Sequence, residues 1–139
     1  MVEKFSDFEG SKFLDKAGSF IFTITDAELT NSKRGDPMVA LTLESDEGMT
    51  TVYHSLNQKA RWSYNRLIAA AFKLTDEQKK TFELDYQTIH RELLGKQVLC
   101  DVEEESYKKE IKVPTDLGTF ETTYEDKISY KVKDYHEAP

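Results

Sequence analysis

A single cysteine in 139 residues, Cys100, excludes an internal disulfide and a thiolate zinc site. Its place in an apolar-alternating stretch predicts a buried, inert thiol. No apolar run approaches the roughly 20 residues that a membrane span requires, which predicts a soluble chain without a membrane partner. The first residues, Met1-Val2-Glu3-Lys4-Phe5-Ser6-Asp7, alternate acids and bases where a secretory signal places an apolar stretch. A cytoplasmic protein is expected. The length suits one domain with a real core and is too short for a multi-domain enzyme. His54, His90 and His136 are scattered without His-x-x-x-His or Glu-x-x-His spacing, so no transition-metal site is expected. There is no Gly-rich phosphate loop, and no Ser/His/Asp or Cys/His arrangement has motif support. The expectation is a protein without catalysis and without a cofactor.

The net charge of -7 argues against a broadly DNA-coating protein, because such proteins hold phosphate in an overall positive field. The distribution is uneven, however. Between Glu47 and Asp76 there is no acid, while Lys59, Arg61, Arg66 and Lys73 are basic. Asp101, Glu103, Glu104 and Glu105 concentrate the opposite sign. Only alternate strand residues share a face, so this acidic run reads as an edge strand charged against aggregation rather than as a divalent-metal cluster.

Periodicity supplies the organisation. Residues 1–17 carry Phe5, Phe8, Phe13 and Leu14 among charges and read either as a short amphipathic arm or as a fraying terminus. From Gly18 onward a single domain covers 18–139. Phe20, Phe22 and Ile24 alternate along a first strand, and Val39, Leu41 and Leu43 along a second. Between them Thr30-Asn31-Ser32-Lys33-Arg34-Gly35-Asp36-Pro37 is a loop rich in turn formers. Asp46-Glu47-Gly48 reverses the chain into a third strand, with Val52 and Leu56 on one parity and Thr51, Tyr53 and Ser55 on the other. His54 shares the parity of Val52. A helical insert of about 58–95 comes next. Its main helix is expected over 59–73 with Trp62, Leu67, Ile68, Ala71 and Phe72 inward. Thr75-Asp76-Glu77-Gln78 is a capping box, and Asp85 and Gly95 bracket a further short segment. Val98, Cys100 and Val102 mark a fourth strand. A long connection over 105–126 succeeds it, irregular or partly paired between 110–113 and 119–123. A closing strand over 127–135 puts Ile128, Tyr130 and Val132 inward, with Lys131, Lys133 and Tyr135 outward. Trp62 and Tyr130 are both expected in the core.

Three meandering strands, a helical insert and two further strands are the order of the five-stranded Greek-key OB barrel, a mainly β fold. Three segments carry a resemblance: residues 17–28 (Ala-Gly-Ser-Phe-Ile-Phe-Thr-Ile-Thr-Asp-Ala-Glu), 32–43 (Ser-Lys-Arg-Gly-Asp-Pro-Met-Val-Ala-Leu-Thr-Leu) and 93–98 (Leu-Leu-Gly-Lys-Gln-Val). On these the chain resembles a family of small bacteriophage OB-fold proteins described as binding single-stranded DNA and encoded near replication and recombination genes. The resemblance implies single-stranded DNA as ligand, phage recombinase or replication proteins as partners, and the host bacterial cytoplasm as compartment. It departs from many single-strand binders at the C-terminus, where Asp134-Tyr135-His136-Glu137-Ala138-Pro139 is too short and too mixed in charge to be an acidic recruiting tail.

Binding single strands without base readout needs cations for phosphates and exposed rings for stacking. The candidates are Lys33 and Arg34 at the first loop tip, Tyr53 on the third strand, Tyr107, Lys108 and Lys109 at the start of the long connection, and Lys131 and Lys133 on the last strand. A second reading competes: an acidic protein-interaction barrel, an inhibitor or adaptor of a nucleic-acid enzyme, displaying Asp101, Glu103, Glu104 and Glu105. A homodimer through edge strands is compatible with either. The Arg34-Gly35-Asp36 tripeptide is a chance match in a turn-rich loop.

Overall fold

The computed structural model describes residues 12–139. Strands β1 (Gly18–Asn31), β2 (Pro37–Ser45), β3 (Gly48–Ser55), β4 (Gln97–Pro114) and β5 (Phe120–Glu137) form where the sequence alternates. Between β3 and β4 lie α1 (Trp62–Phe72), α2 (Asp76–Thr81) and α3 (Ile89–Glu92). The protein is mainly β. Its one five-stranded sheet has the order β3-β2-β1-β4-β5, with every neighbouring pair antiparallel. No helix among the described residues is long and apolar enough to cross a membrane.

β1 organises the sheet because it changes partner along its length. Its first half, Gly18 to Thr23, pairs with β4; from Thr23 to Asn31 it pairs with β2. At the changeover a bulge between Ile24 and Asp26 leaves Thr25 without a partner on β2. Such a bulge bends the strand and increases its twist. The sheet therefore curls toward a barrel, and its two outer strands come to face each other. His54 of β3 reaches Tyr135 of β5 with Nε2 2.7 Å from the hydroxyl.

The expected alternation fills the concave side. Phe22, Ile24, Val39, Leu41, Leu43, Val98, Cys100 and Val102 are all buried, and Phe20 packs against them. α1 closes one end with Tyr64, Leu67, Ile68 and Ala71, spaced i, i+3, i+4, i+7. Trp62 does not belong to that stripe. It lies two residues before Tyr64, nearly half a turn round the helix, and is 64% exposed, so its expected core position is corrected. The helix also starts at Trp62 rather than at residue 59. Downstream, the Thr75 capping box forms: the Gln78 N–H donates to Thr75 Oγ1 and the Thr75 N–H to Gln78 Oε1. The Asp85 side chain accepts from the Gln87 N–H, and Gly95 at φ 83° ends the insert.

The second half of the chain departs from expectation in two ways. The paired alternative for 105–126 is the one that forms, with 110–113 opposite 121–124, and it is longer than expected: the ladder between β4 and β5 runs past the barrel to Pro114 opposite Phe120, a β-ribbon closed by a short turn. β1 begins at Gly18, opposite Val102, and leaves β4 unaccompanied beyond that point. Ile128 pairs with Ser106 on this projecting part, where no core faces it, and is 54% exposed instead of buried. The second departure is Tyr135. A register shift pairs Asp101 with Asp134 but Val102 with Val132, which leaves Lys133 bulged and reverses the parity of the residues after it. Tyr135 thereby turns inward and is buried, while Tyr130 and Val132 are partly buried against the core.

Of the N-terminal arm proposed over 1–17, residues 1–11, and with them Phe5 and Phe8, lie outside the described residues. Leu14 is buried, whereas Phe13 is 73% exposed. Phe13 makes a parallel bridge with Met49 on the outer edge of β3, the Leu14 N–H donating to the Met49 carbonyl at 2.9 Å. Gly48 permits this approach. Its φ is 141°, and a Cβ there would stand 2.8 Å from the Leu14 backbone.

Candidate nucleic-acid interface

The curl of the sheet leaves a groove of about 430 Å³ between the facing edges of β3 and β5. Thr50 to Ser55 form one wall, Tyr130 to Lys133 the other, and His54 and Tyr135 the floor. Because strand side chains alternate, the register that sends His54 inward turns Tyr53 outward. Tyr53 is 61% exposed and lies opposite Ala40 of β2, whose small side chain leaves the phenol ring uncovered. The outer face around it is mixed: Thr51 lies opposite Thr42 and Ser55 opposite Met38, while Glu28 and Asp26 of β1 stand beside Ala40 and Thr42 on the same face. An exposed ring on such a face can stack with a planar group.

The structure brings Tyr53, Lys131 and Lys133 into this groove and keeps the other candidates apart. Lys33 and Arg34 sit in the turn after β1, beyond Asn31, which pairs with Pro37. Lys131 and Lys133 flank Val132, which belongs at the Gly18 end of β1 through Val102. The two pairs of cations therefore stand at opposite ends of β1, with Tyr53 between them along β3. Tyr107, Lys108 and Lys109 are not loop residues: they lie on the ribbon opposite Lys127, Asp126 and Glu125.

Local pairing decides which cations are free to meet a ligand. Lys133 hydrogen-bonds Glu105, which raises the lysine pKa and lowers that of the carboxyl. On the ribbon, Lys112 meets Glu110 and Lys127 meets Glu125, each at 2.8 Å, and Lys108 meets Asp126 at 3.9 Å. Among the described residues, Lys33, Arg34, Lys109 and Lys131 make no ion pair. Lys131, which stands opposite Glu103 without closing an ion pair on it, is thus the cation of the groove outside any ion pair, and Lys33 with Arg34 form a second basic point.

Two arrangements were not legible in the sequence. Beneath the groove, His54 is stacked on Tyr64 at 5.7 Å between centroids and tilted against Tyr135 at 5.5 Å. Burial pushes His54 down to about 4 and raises both phenols, so all three groups are neutral at pH 7. Reading 64, 67, 68 and 71 as the helical stripe would have placed Tyr64 in the core. On the outer face, Asp101 Oδ2 lies 2.7 Å from His136 Nε2 and Oδ1 accepts from Ser19, while Asp134 pairs with Arg66. Hydrogen bonds from Ser19 and His136 hold the Asp101 carboxyl below its ordinary range. Asp101, Asp134 and His136 could converge on a cation, but each carboxylate already has its own partner. Cys100 is buried, and burial pushes its thiol up to about 12, as expected of an inert core residue. Comparison with protein-family models and with curated proteins finds no match to this chain.

Proposed function

We propose that the chain is an OB-type barrel that binds single-stranded DNA without chemistry, the strand passing from Lys33 and Arg34 over Tyr53 to Lys131. The strand order β3-β2-β1-β4-β5 is that of the OB ring opened between its third and fifth strands, and the helical insert stands where that fold carries its helix, between the third strand and the fourth. The observation that carries the reading is Tyr53, an exposed ring sharing a groove with an unpaired lysine. Such a platform accepts any base, because every base has a stacking face. A place in phage replication or recombination rests on the resemblance of 17–28, 32–43 and 93–98, with recombinase or replication proteins as partners in the host cytoplasm. Against the acidic-inhibitor reading, Asp101 is spent on Ser19 and His136, and Glu105 on Lys133. Glu103 and Glu104 still favour a protein contact, along the β4 edge behind the Tyr130 and Lys131 wall of the groove.

The test is a fluorescence titration with an oligo-dT strand of about 30 nucleotides at two salt concentrations. Neutralising three phosphates with Lys33, Arg34 and Lys131 gives a slope of log affinity against log salt of about -2. Tyr53→Ala is expected to weaken binding by about 1–3 kcal/mol while leaving the thermal midpoint nearly unchanged. An affinity that ignores salt, or a Tyr53 variant that loses stability and keeps its affinity, would remove the groove from consideration.

A further inference from the structure

The ribbon is more than a connection, because among the described residues it carries an unpaired edge and exposed aromatic rings on one face. Beyond Val102 the β4 strand has β5 on one side and, among the described residues, nothing on the other. A long free edge exposes a row of N–H and C=O groups that pair readily with another strand. Its charges are ordered along it: Glu103, Glu104 and Glu105 precede Lys108 and Lys109. Glu103, Glu104 and Lys109 make no ion pair among the described residues, and Lys108 holds Asp126 only at 3.9 Å. On the face that continues the core side of β5, Phe120 and Tyr124 are 67% and 66% exposed.

We propose that two copies of this chain associate through residues 103–109 of β4, antiparallel about a twofold axis at Ser106. In that register Glu103 lies opposite Lys109 of the partner copy and Glu104 opposite Lys108 of the partner copy, and the symmetry repeats both pairs. Opposite charges directly across two strands attract, and like charges repel. Shifting the register one residue toward the tip keeps two Glu–Lys pairs per strand, but one of them uses Glu105, already held by Lys133, and Glu103 then faces Glu110 of the partner copy; shifting it one residue back leaves a single Glu–Lys pair per strand. The charge order therefore selects a self-complementary register, which is the property a twofold interface requires. Pairing stops at Lys109, because the next position is taken by Gly18, where β1 of the partner copy begins. There the sheet curls away toward its own core, so the straight ribbon tip continues over its outside. The tip's Phe120 and Tyr124 face then meets the outer side of β1 of the partner copy, where Ile21 is 42% exposed opposite Leu99. Backbone edge, charge and the exposed tip rings thus find their counterparts in one arrangement, without using Tyr53 or Lys131.

The experiment is sedimentation velocity on the full chain over a range of concentrations. The wild type should sediment as a species of twice 16.1 kDa. Glu103→Lys with Glu104→Lys, and separately Lys108→Glu with Lys109→Glu, should each weaken dimerisation by roughly 100-fold or more, since they set like charges against each other. Mixing the two variants should restore a dimer, because their edges are again complementary. Circular dichroism melts establish that both variants are folded before the comparison is made. A monomeric wild type at about 100 μM overturns the proposal, as does a dimer that survives both charge reversals. A mixture that stays monomeric overturns the register.

Discussion

Phe22→Ala is expected to lower the unfolding free energy by about 3–5 kcal/mol, a large share of the roughly 5–15 kcal/mol that holds a domain of this size. Phe22 is fully buried on β1, opposite Val98 of β4, and the Phe20 ring meets it edge-on at 6.2 Å. It lies on the half of the strand that pairs with β4, beside the bulge that turns β1 toward β2, where the surrounding backbone is held from both directions. Truncation loses the transfer energy of the ring and leaves a cavity that a tightly curled sheet cannot close. Trp62→Ala is the matching control. Its larger ring is mostly in solvent, so its loss should move stability by no more than about 0.5 kcal/mol. Urea unfolding read at constant m separates the two, and a Phe22 variant within about 1 kcal/mol of wild type would show that β1 is not central to the core.

The contrast between Phe22 and Trp62 shows what alternation can and cannot reveal. On β1, β2 and the first part of β4, one face is buried against a core, so period-two patterning and burial coincide residue by residue. The pattern misleads where another backbone event intervenes. The bulge at Lys133 is invisible in composition and reverses the faces after it, which put Tyr135 on the wrong side. Ile128 has the right residue type for a core and lacks only a core to face, because β1 begins at Gly18 and the ribbon continues alone. The site was legible to the same degree. Exposure of Tyr53 comes directly from parity in an undisturbed strand. The neutralisation of Lys133 by Glu105 depends on cross-strand register, and the separation of Lys33 from Lys131 depends on the partner change along β1. Neither is encoded within a local stretch of sequence.

Acidification from pH 7.5 to pH 4 is expected to remove about 3 kcal/mol of stability through His54 alone. Burial holds its pKa at about 4, against 6.5 for an unperturbed imidazole. Above pH 6.5 the imidazole is neutral in both the folded and the unfolded chain and contributes no pH dependence. Between 6.5 and about 4 the unfolded chain takes up a proton that the folded chain refuses, so stability falls as the pH is lowered. Below 4 both forms are protonated and the loss is complete. At about 1.4 kcal/mol per pH unit, this interval yields the stated magnitude. The position of His54 makes the loss structural. It is the only hydrogen-bonded side-chain link between β3 and β5 among the described residues, and Tyr135 and Tyr64 enclose it. A neutral ring can accept the Tyr135 hydroxyl proton at Nε2, whereas the imidazolium cannot accept and has no carboxylate in this pocket to balance its charge. His54→Gln keeps a polar group that can reach Tyr135 and cannot titrate. Urea midpoints for both proteins at pH 7.5, 5.5 and 4 cancel the contribution of the surface carboxylates. His90, whose pKa is also lowered by burial, is present in both proteins and cancels with them. The wild type should lose about 3 kcal/mol more than the variant over this range, most of it between 6 and 4. Parallel pH profiles would mean that the imidazole is solvated in both states and that His54 and Tyr135 do not hold the two edges of the sheet together.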